Sequence, residues 1–164
     1  MISDGKNLYL LDGYNHDIVE AEKQCYEWFK EQPKDHVAEV AASGASVRDK
    51  CLAVFKHLVA HVQYQLDPDG KQLIKSPARL LADGCGDCKS LTMYINYCLY
   101  CLGIRHKFRF VNFDGGDQYT HVYAVALDER DNEIILDACE KDDQGYTLFD
   151  YARPYKVKLD VNYC

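Results

Sequence analysis

Apolar residues recur at helical spacing in three stretches of the chain, which predicts three helices. The first covers residues 16–31, with Asn15 as N-cap, and its apolar positions are Ile18, Ala21, Cys25, Trp28 and Phe29. The second lies within residues 46–64 behind the capping residue Ser46, and its apolar positions are Cys51, Val54, Phe55, Leu58 and Val62. The third covers residues 88–102 and ends at Gly103.

The chain between the second and third helices reads as a loop, and the chain after the third helix reads as strands. The stretch LDPDGKQLIKSPARLLADG contains the breakers Pro68, Gly70 and Pro77. Apolar or alternating runs follow in HKFRFVNF, YTHVYAVAL and NEIILDA, separated by the turn sequences DGGD and DERDN. A last extended segment is expected within residues 146–161. Helices followed by an antiparallel meander predict an α+β fold.

Length and composition fit one globular domain with its own core. The 164 residues are 48% hydrophobic and 27% charged, a balance that excludes a disordered chain. The net charge is −7 without a run of Lys or Arg, which argues against nucleic acid or an anionic membrane as a partner. The sequence has no apolar run that suits a membrane span or signal peptide, so we expect a cytoplasmic protein with reduced thiols.

Half of the eight cysteines fall in one stretch, DGCGDCKSLTMYINYCLYCLGI, at residues 83–104. Two Cys-x-x-Cys pairs can indicate zinc, but structural zinc sites place such pairs on turns separated by roughly 12–20 residues. Here Cys98 and Cys101 lie within the third predicted helix, where a buried cysteine acts as a small apolar residue. A redox pair would follow a strand in a βαβ unit, whereas a loop precedes CGDC and antiparallel strands follow it. Core packing is therefore our interpretation of Cys98 and Cys101.

Cys88 differs from the other cysteines because it begins the third helix. The unpaired N–H groups and the positive end of the helix dipole favour a thiolate over a thiol at that position. Gly84 and Gly86, in the loop before it, let the chain turn tightly and leave room for a substrate. The position predicts a nucleophile, and a nucleophile requires a base and a group that orients the base.

His121 is the candidate for the base, because it begins the apolar strand HVYAVAL, where a polar residue needs a reason. His57 and His61, spaced as a possible metal pair, project to the polar flank of the second helix, and we interpret them as solvated. The other histidines lack a comparable setting and are His16, His36 and His106.

Asp137 is the candidate for the orienting group, because it is the one charge at the end of the apolar strand EIIL. If DERDN forms the turn of a hairpin centred at residue 129 or 130, Asp137 lies opposite or diagonal to His121 on the same face. A centre between residues 130 and 131 would put the two side chains on opposite faces. The sequence allows both arrangements.

These motifs, in this order, resemble the transglutaminase-like branch of the papain-type cysteine enzymes. In that superfamily a Gly-x-Cys begins a helix that ends in Leu-Gly-Ile, and strands with His-Val-Tyr and Leu-Asp-Ala follow. This chain has GCGDCKSLTMYINYCLYCLGI, THVYAVAL and IILDA, and its upstream VQYQLDP and LIKSPARLLADG resemble small bacterial and bacteriophage members. The resemblance divides a single domain, residues 1–164, into an N-terminal helical segment (1–45), a core (46–140) and a C-terminal extension (141–164).

The resemblance implies a buried helix that begins at the nucleophile and packs on an antiparallel sheet carrying the His and the Asp. Cys88, His121 and Asp137 match the family's nucleophile, base and orienter. An enzyme of this type cleaves an amide bond of a protein or peptide through an acyl-enzyme on the cysteine. No metal or organic cofactor is implied, and the expected location is the cytoplasm of a bacterium or of a phage-infected cell.

An oxyanion hole needs two donors, and the backbone N–H of Cys88 is the candidate for one of them. Papain-type enzymes often take the second from a glutamine shortly before the cysteine, but RLLADGCGD contains none. The candidates further upstream are Gln63, Tyr64 and Gln65.

Three alternatives stay open. A transamidase would transfer the acyl group to an amine, although the calcium sites and extra domains of large transglutaminases are not matched here, which favours hydrolysis. A catalytically inactive relative would act as a binding or assembly module. A zinc-binding module would use Cys85 and Cys88 together with His57, His61 or Cys139. Thiol reactivity separates the first two classes, and metal content separates the third.

Overall fold

The computed structural model describes residues 8–10, 15–31, 37, 40 and 46–163. In these residues the helices are α1 (Asn15–Phe29), α2 (Val47–His61), α3 (Pro77–Asp83) and α4 (Cys88–Cys101). The strands are β1 (Leu8–Leu10), β2 (Gln63–Tyr64), β3 (Gln72–Ile74), β4 (Cys85–Gly86), β5 (His106–Asn112), β6 (His121–Leu127), β7 (Glu133–Leu136) and β8 (Val157–Tyr163). None of these helices combines the length and the apolar character that a membrane span requires.

The main sheet is antiparallel and has the strand order β7-β6-β5-β8. Strands β5, β6 and β7 form the meander predicted from the sequence, and β8 returns to the free edge of β5. Two small pairs lie outside this sheet: β1 with β3, antiparallel, and β2 with β4, parallel. The predicted α+β class is confirmed.

Helix α4 is the centre of the core. Eleven consecutive residues, Lys89–Leu99, are buried, because α4 packs on the sheet and is enclosed by the other helices. One apolar cluster joins α4 to α2 and the β6–β7 side of the sheet, and a second joins it to α1 and the aromatic residues of β5. Cys98 is fully buried and Cys101 is half-buried, in agreement with their interpretation as packing residues.

Local signals set the start and the register of α2. The Ser46 side chain accepts the N–H of Asp49 at 3.1 Å, and the Asp49 carboxylate accepts the N–H of Ser46 at 3.1 Å, which makes a capping box. The buried face contains Cys51, Val54, Phe55 and Leu58, as the periodicity predicted. The helix ends at His61, earlier than predicted, because the chain continues into β2.

The prediction of a loop over residues 66–84 is wrong. The segment contains β3 and α3, and the second of these begins at a signal that we read as a breaker. Ser76 caps α3 by accepting the N–H of Arg79, and Pro77 stands at the first helical turn, where its missing N–H costs nothing. Pro77 therefore starts a helix instead of interrupting one.

The buried face of α1 also differs from the prediction. Trp28 is 49% exposed, whereas Glu22 is completely buried together with Cys25, Tyr26 and Phe29. The spacing of three to four residues from Glu22 to Phe29 defines the stripe that faces the core, and Trp28 lies outside it. Asn15 is the first residue of the helix and not its N-cap. Judged by hydrophobicity alone, the Trp28 indole was expected in the core, and the burial of the Glu22 carboxylate was missed.

A network of four charged side chains crosses the sheet. Arg109 and Lys107 of β5 each bind Glu133 of β7 and Asp160 of β8, at 2.6–3.0 Å. Arg109 is 3% exposed, so its charge depends on these two carboxylates. Hydrogen bonds from Arg109, and then from Lys107, lower the pKa of Glu133 to about 2. Burial acts in the opposite direction on Asp160, but the same two cations hold the pKa of that carboxyl well below its ordinary value.

This network predicts an acid-sensitive contribution to stability. Because the pKa of Glu133 is lowered in the folded state, its contribution is present above the ordinary carboxyl pKa of about 4 and is lost as the pH falls through about 2. Glu133 is partly exposed, so Glu133→Gln should lower the free energy of unfolding by only about 0.5–1 kcal/mol at neutral pH. Urea unfolding measured from pH 7 to pH 2 should show the two proteins converging in acid. Asp143→Asn, at an exposed turn, is the control and should track the wild type; a gap for Glu133→Gln that persists in acid would contradict the prediction.

Candidate active site

Cys88 is the first residue of α4, as predicted, and the residue before it caps the helix. Asp87 accepts the N–H groups of Lys89 and Ser90 through Oδ1, at 3.1 and 3.4 Å. This cap does not use the N–H of Cys88 itself. Cys88 is half-buried and packs against the apolar cluster between α1, α4 and β5. The thiol therefore sits at the positive end of a buried helix, with one side toward solvent.

Of the two roles predicted for the glycines of the loop, the structure shows the tight turn at Gly84 but not the room for a substrate at Gly86. Gly84 ends α3 in the left-handed region, at φ 66°, where a side chain would be strained. A Cβ on Gly86 would lie 2.6 Å from Leu80 Cδ1 and 3.1 Å from Ser90 Cβ. Gly86 thus leaves room for α3 and α4 to approach the loop, and not for a substrate.

The register of the β6–β7 hairpin puts His121 and Asp137 on one face. Leu127 pairs with Glu133 and Ala124 with Leu136, so the hairpin is centred at residue 130. Residue 130 is one of the two hairpin centres that place both side chains on the same face. Asp137 lies just past the end of β7, diagonal to His121 at the start of β6.

The imidazole of His121 is held from both ends. His121 Nε2 donates to Asp137 Oδ2 at 2.6 Å. The imidazole also forms a hydrogen bond with the Cys88 thiol. Because Nε2 is already bonded to Asp137, Nδ1 is the nitrogen that faces the sulfur. The ring of Phe113 stacks on the imidazole at a centroid distance of 5.7 Å. Burial would lower the pKa of His121, but the hydrogen bonds and charges of Asp137 and Cys88 raise it to about 10.

Asp137 is 2% exposed, and both of its oxygens have partners. Oδ2 accepts from His121, and Oδ1 accepts the backbone N–H of Cys139 at 3.1 Å. The structure thus brings Cys88, His121 and Asp137 together in one chain of hydrogen bonds. The sequence suggested each of these residues, but it allowed the opposite hairpin register as well.

Cys139 is a neighbour of this site that the sequence analysis did not single out as such. Its Sγ, a ring nitrogen of His121 and a carboxylate oxygen of Asp137 lie within 4.8 Å of one another. Burial, followed by the charges of Asp137 and Cys88, raises the pKa of the Cys139 thiol. Its spacing of two residues from Asp137 was the available signal, since both residues follow the end of β7.

Strand β2 brings the three oxyanion candidates beside the loop that precedes Cys88. Gln63 N–H donates to the carbonyl of Gly84 and Gln65 N–H to the carbonyl of Gly86, each at 2.9 Å. Side chains alternate along a strand, so Tyr64 points away from the face of Gln63 and Gln65. Burial raises the pKa of Tyr64, and the charges of Cys88 and Cys139 raise it further.

Two cavities adjoin these residues. One, of about 260 Å³, is bordered by Cys88 and His121 and by residues of α1, β3 and β5, among them Ile18, Gln72 and Phe110. The other, of about 280 Å³, lies along Tyr64, Leu91 and Ala138. A substrate group can therefore reach the thiol and the imidazole.

A compact group of buried charges lies behind the start of α4. Lys89 is 6% exposed, and its ammonium binds the carboxylates of Asp87 and, at 3.3 Å, Asp67. Glu22 of α1 is completely buried beside them, and neither of its oxygens has a hydrogen-bond partner among the described residues. Burial raises the pKa of Glu22 well above its ordinary value; Lys89 opposes this effect, and Asp87 and Cys88 add to it. The burial of this carboxyl was not predictable from the sequence, because an acid in an amphipathic helix usually faces water.

Among the histidines whose side chains the structure describes, it is His121 that forms a hydrogen bond with Cys88. His106 is buried, where it accepts from the Tyr26 hydroxyl through Nε2 at 2.5 Å, and burial lowers its pKa to about 4. His61 is exposed, and His57 is half-buried with its ring 4.3 Å from that of His61. The side chain of His16, and the residues His36 and Cys164, lie outside the described part of the chain.

The residues suggested as ligands of a zinc module do not lie together as one group. Among the described residues, the group close enough to share a metal ion is His121, Asp137 and Cys139. Cys85, the first of the suggested ligands, is half-buried on β4, where Lys75 Nζ donates to its carbonyl at 2.8 Å.

No protein-family profile matches the sequence, and no curated protein matches it. Among solved structures, a candidate protease from Parabacteroides distasonis superposes with a TM-score of 0.63 at 11% identity, over 76% of this chain and 26% of its own. A candidate cysteine protease from Cytophaga hutchinsonii superposes with a TM-score of 0.41 at 16% identity, over 76% of this chain and 38% of its own. This chain thus spans about a quarter of the length of the first neighbour, with which it shares a fold.

The isolated carboxyl of Glu22 predicts a stabilising substitution. Because the pKa of Glu22 is raised in the folded state, the carboxyl costs stability as the pH rises above its unfolded value of about 4.3. Glu22→Leu should raise the free energy of unfolding at pH 7 by about 1–3 kcal/mol, measured by urea unfolding, and the gain should shrink toward pH 4. Glu20→Leu removes an exposed carboxylate from the same helix and should have little effect. Destabilisation by Glu22→Leu would mean that the carboxyl is paired in the folded protein.

Proposed function

We propose that the protein is a transglutaminase-like cysteine hydrolase that cleaves an amide bond of a protein or peptide. One observation carries the proposal: the Cys88 thiol, at a helix N-terminus, contacts an imidazole whose other nitrogen is 2.6 Å from a buried carboxylate. A nucleophile, a base and an orienting group in this relation are the elements of covalent acyl transfer. The fold shared with a candidate protease supports the same reaction class.

In the first half of the reaction, the Cys88 thiolate attacks the carbonyl carbon of the substrate amide. A C–S bond forms, and the carbonyl electrons move onto the oxygen. As the tetrahedral intermediate collapses, the C–N bond breaks and His121 gives its proton to the leaving amine. Asp137 keeps the imidazole oriented and stabilises its protonated form, which is the role that the 2.6 Å hydrogen bond supports.

In the second half, water attacks the thioester carbonyl, and His121 takes the proton of that water. The C–S bond then breaks, a carboxylic acid leaves, and Cys88 returns to the thiolate. If an amine attacks in place of water, the same residues transfer the acyl group, which is the transamidase alternative. The salt bridges of Lys89 with Asp67 and Asp87 connect the start of α4 to the loop that follows β2. This connection keeps the thiol aligned with the imidazole.

We assign the oxyanion hole to the N–H of Cys88 and the hydroxyl of Tyr64. The N–H belongs to the first turn of α4, where no intrahelical acceptor exists. The side chain of Tyr64 points to the face of β2 opposite those of Gln63 and Gln65, and the charge of Cys88 raises the pKa of its hydroxyl. Gln63 and Gln65 anchor the strand through their backbone N–H groups instead.

An activated thiol predicts selective alkylation. Iodoacetamide at about pH 6.5 should modify Cys88 at least about 10-fold faster than the half-buried Cys101, because an ordinary thiol with a pKa of about 8.5 is mostly protonated there. Mass spectrometry of peptides taken at timed intervals gives both rates in one sample. His121→Ala should abolish the advantage, whereas Asp137→Asn should reduce it less, since the orienting group acts through the base. Equal rates at the two cysteines would mean an inactive relative of the fold.

The oxyanion assignment predicts a selective effect of Tyr64. With p-nitrophenyl acetate as the acyl donor, Cys88 should be acetylated and p-nitrophenolate released. Tyr64→Phe removes only the hydroxyl and should slow acylation by about 10²-fold, while Gln63→Ala and Gln65→Ala should have smaller effects. The iodoacetamide rate of Cys88 serves as the control, because alkylation forms no oxyanion. A Tyr64→Phe variant with the wild-type acylation rate would remove Tyr64 from the mechanism.

A further inference from the structure

The group His121, Asp137 and Cys139 has the composition of a zinc site. An imidazole nitrogen, a carboxylate oxygen and a thiol sulfur lie within 4.8 Å of one another. Zinc binds all three donor types, and three protein ligands with an open fourth position form a common arrangement. Thiolate and imidazole ligands favour zinc and similar ions over magnesium or calcium.

Only small movements would bring these atoms into a tetrahedral shell. Metal–ligand distances of about 2.0–2.3 Å put neighbouring ligand atoms about 3.3–3.6 Å apart. The sulfur therefore has to move inward by about 1.3 Å at most, and His121 Nε2 and Asp137 Oδ2 have to separate from 2.6 Å. Side-chain rotation suffices for both changes. The N–H of Cys139 donates to Asp137 Oδ1, which holds the two ligands at one strand end.

The charges of the group also match a dication. A carboxylate and a thiolate contribute two negative charges, and a neutral imidazole adds none, so that a bound divalent ion leaves the buried site neutral. On binding, the ion replaces the thiol proton of Cys139 and the proton between His121 and Asp137, and both protons go to the solvent.

We propose that His121, Asp137 and Cys139 bind one zinc ion per chain, and that the bound ion switches the thiol of Cys88 off. The ion occupies the two atoms that form the His121–Asp137 hydrogen bond, and so Asp137 no longer stabilises the protonated imidazole that holds the Cys88 thiolate. Zinc here is an inhibitor and not a cofactor. The inhibitory part rests on the proposed function; the binding part does not. Cys139 is the residue that distinguishes this site from a hydrolase site with a single thiol.

Metal binding can be measured without any enzymatic activity. Isothermal calorimetry with zinc chloride should give one site in the wild type and in Cys88→Ala, which lacks the nucleophile. Cys139→Ala should weaken binding by about 100-fold or more, since it removes a ligand but keeps the backbone N–H that binds Asp137. The matched control is Cys85→Ala, which removes another half-buried thiol and should bind like the wild type. Should Cys139→Ala fail to fold, the thiolate-to-metal charge-transfer band of cobalt-loaded Cys88→Ala tests the same ligand.

Alkylation then tests the consequence for the nucleophile. Zinc should slow the reaction of Cys88 with iodoacetamide in the wild type and in Cys85→Ala, but not in Cys139→Ala. Undiminished zinc affinity in Cys139→Ala, or loss of binding in Cys88→Ala, would overturn the proposed site. Wild-type zinc binding without protection of Cys88 would overturn the inhibitory role. If Cys88 is not reactive even without zinc, the proposed function fails, and the calorimetry still decides the metal site.

Discussion

The hydrogen bond from the Thr92 hydroxyl to the carbonyl of Val122, at 3.0 Å, joins the nucleophile helix to the strand of the base. Thr92 lies one turn after Cys88, and Val122 directly follows His121. Both groups are buried, so breaking the bond would leave two unsatisfied polar atoms inside the core. This contact, together with the packing of α4 on the sheet, determines where the thiol stands relative to the imidazole.

The second constraint is the register of the β6–β7 hairpin. A slip of one residue would turn the side chain of Asp137 to the other face of the sheet and away from His121. The turn resists such a slip, because Asp128 accepts the N–H groups of Arg130 and Asn132 at 2.8 Å and Asp131 adopts a positive φ of 64°. The loop chemistry of a surface turn thus decides the geometry of a site at the opposite end of the hairpin.

The surroundings of the thiol are more strongly charged than a structural core requires. An ammonium, two paired carboxylates and the isolated Glu22 carboxyl are buried around the start of α4. Burying such groups costs free energy even when they are paired. The helices and strands that enclose them offset that cost, and the result is a helix N-terminus that is tied to both α1 and the loop before β3.

The sequence by itself determined the elements whose signals are local. Ser46 marked the start of α2, Gly103 marked the end of α4, and strand alternation predicted the meander, because caps and side-chain periodicity act within a few residues. It also suggested Cys88, because it begins a helix, and His121 and Asp137, because each is a polar residue at the end of an apolar strand. Tertiary structure alone decided which hairpin register holds, that Glu22 and not Trp28 faces the core, and that Cys139 lies beside His121 and Asp137. These outcomes depend on packing between segments distant in the chain, where the burial of a whole face outweighs the preference of any single residue.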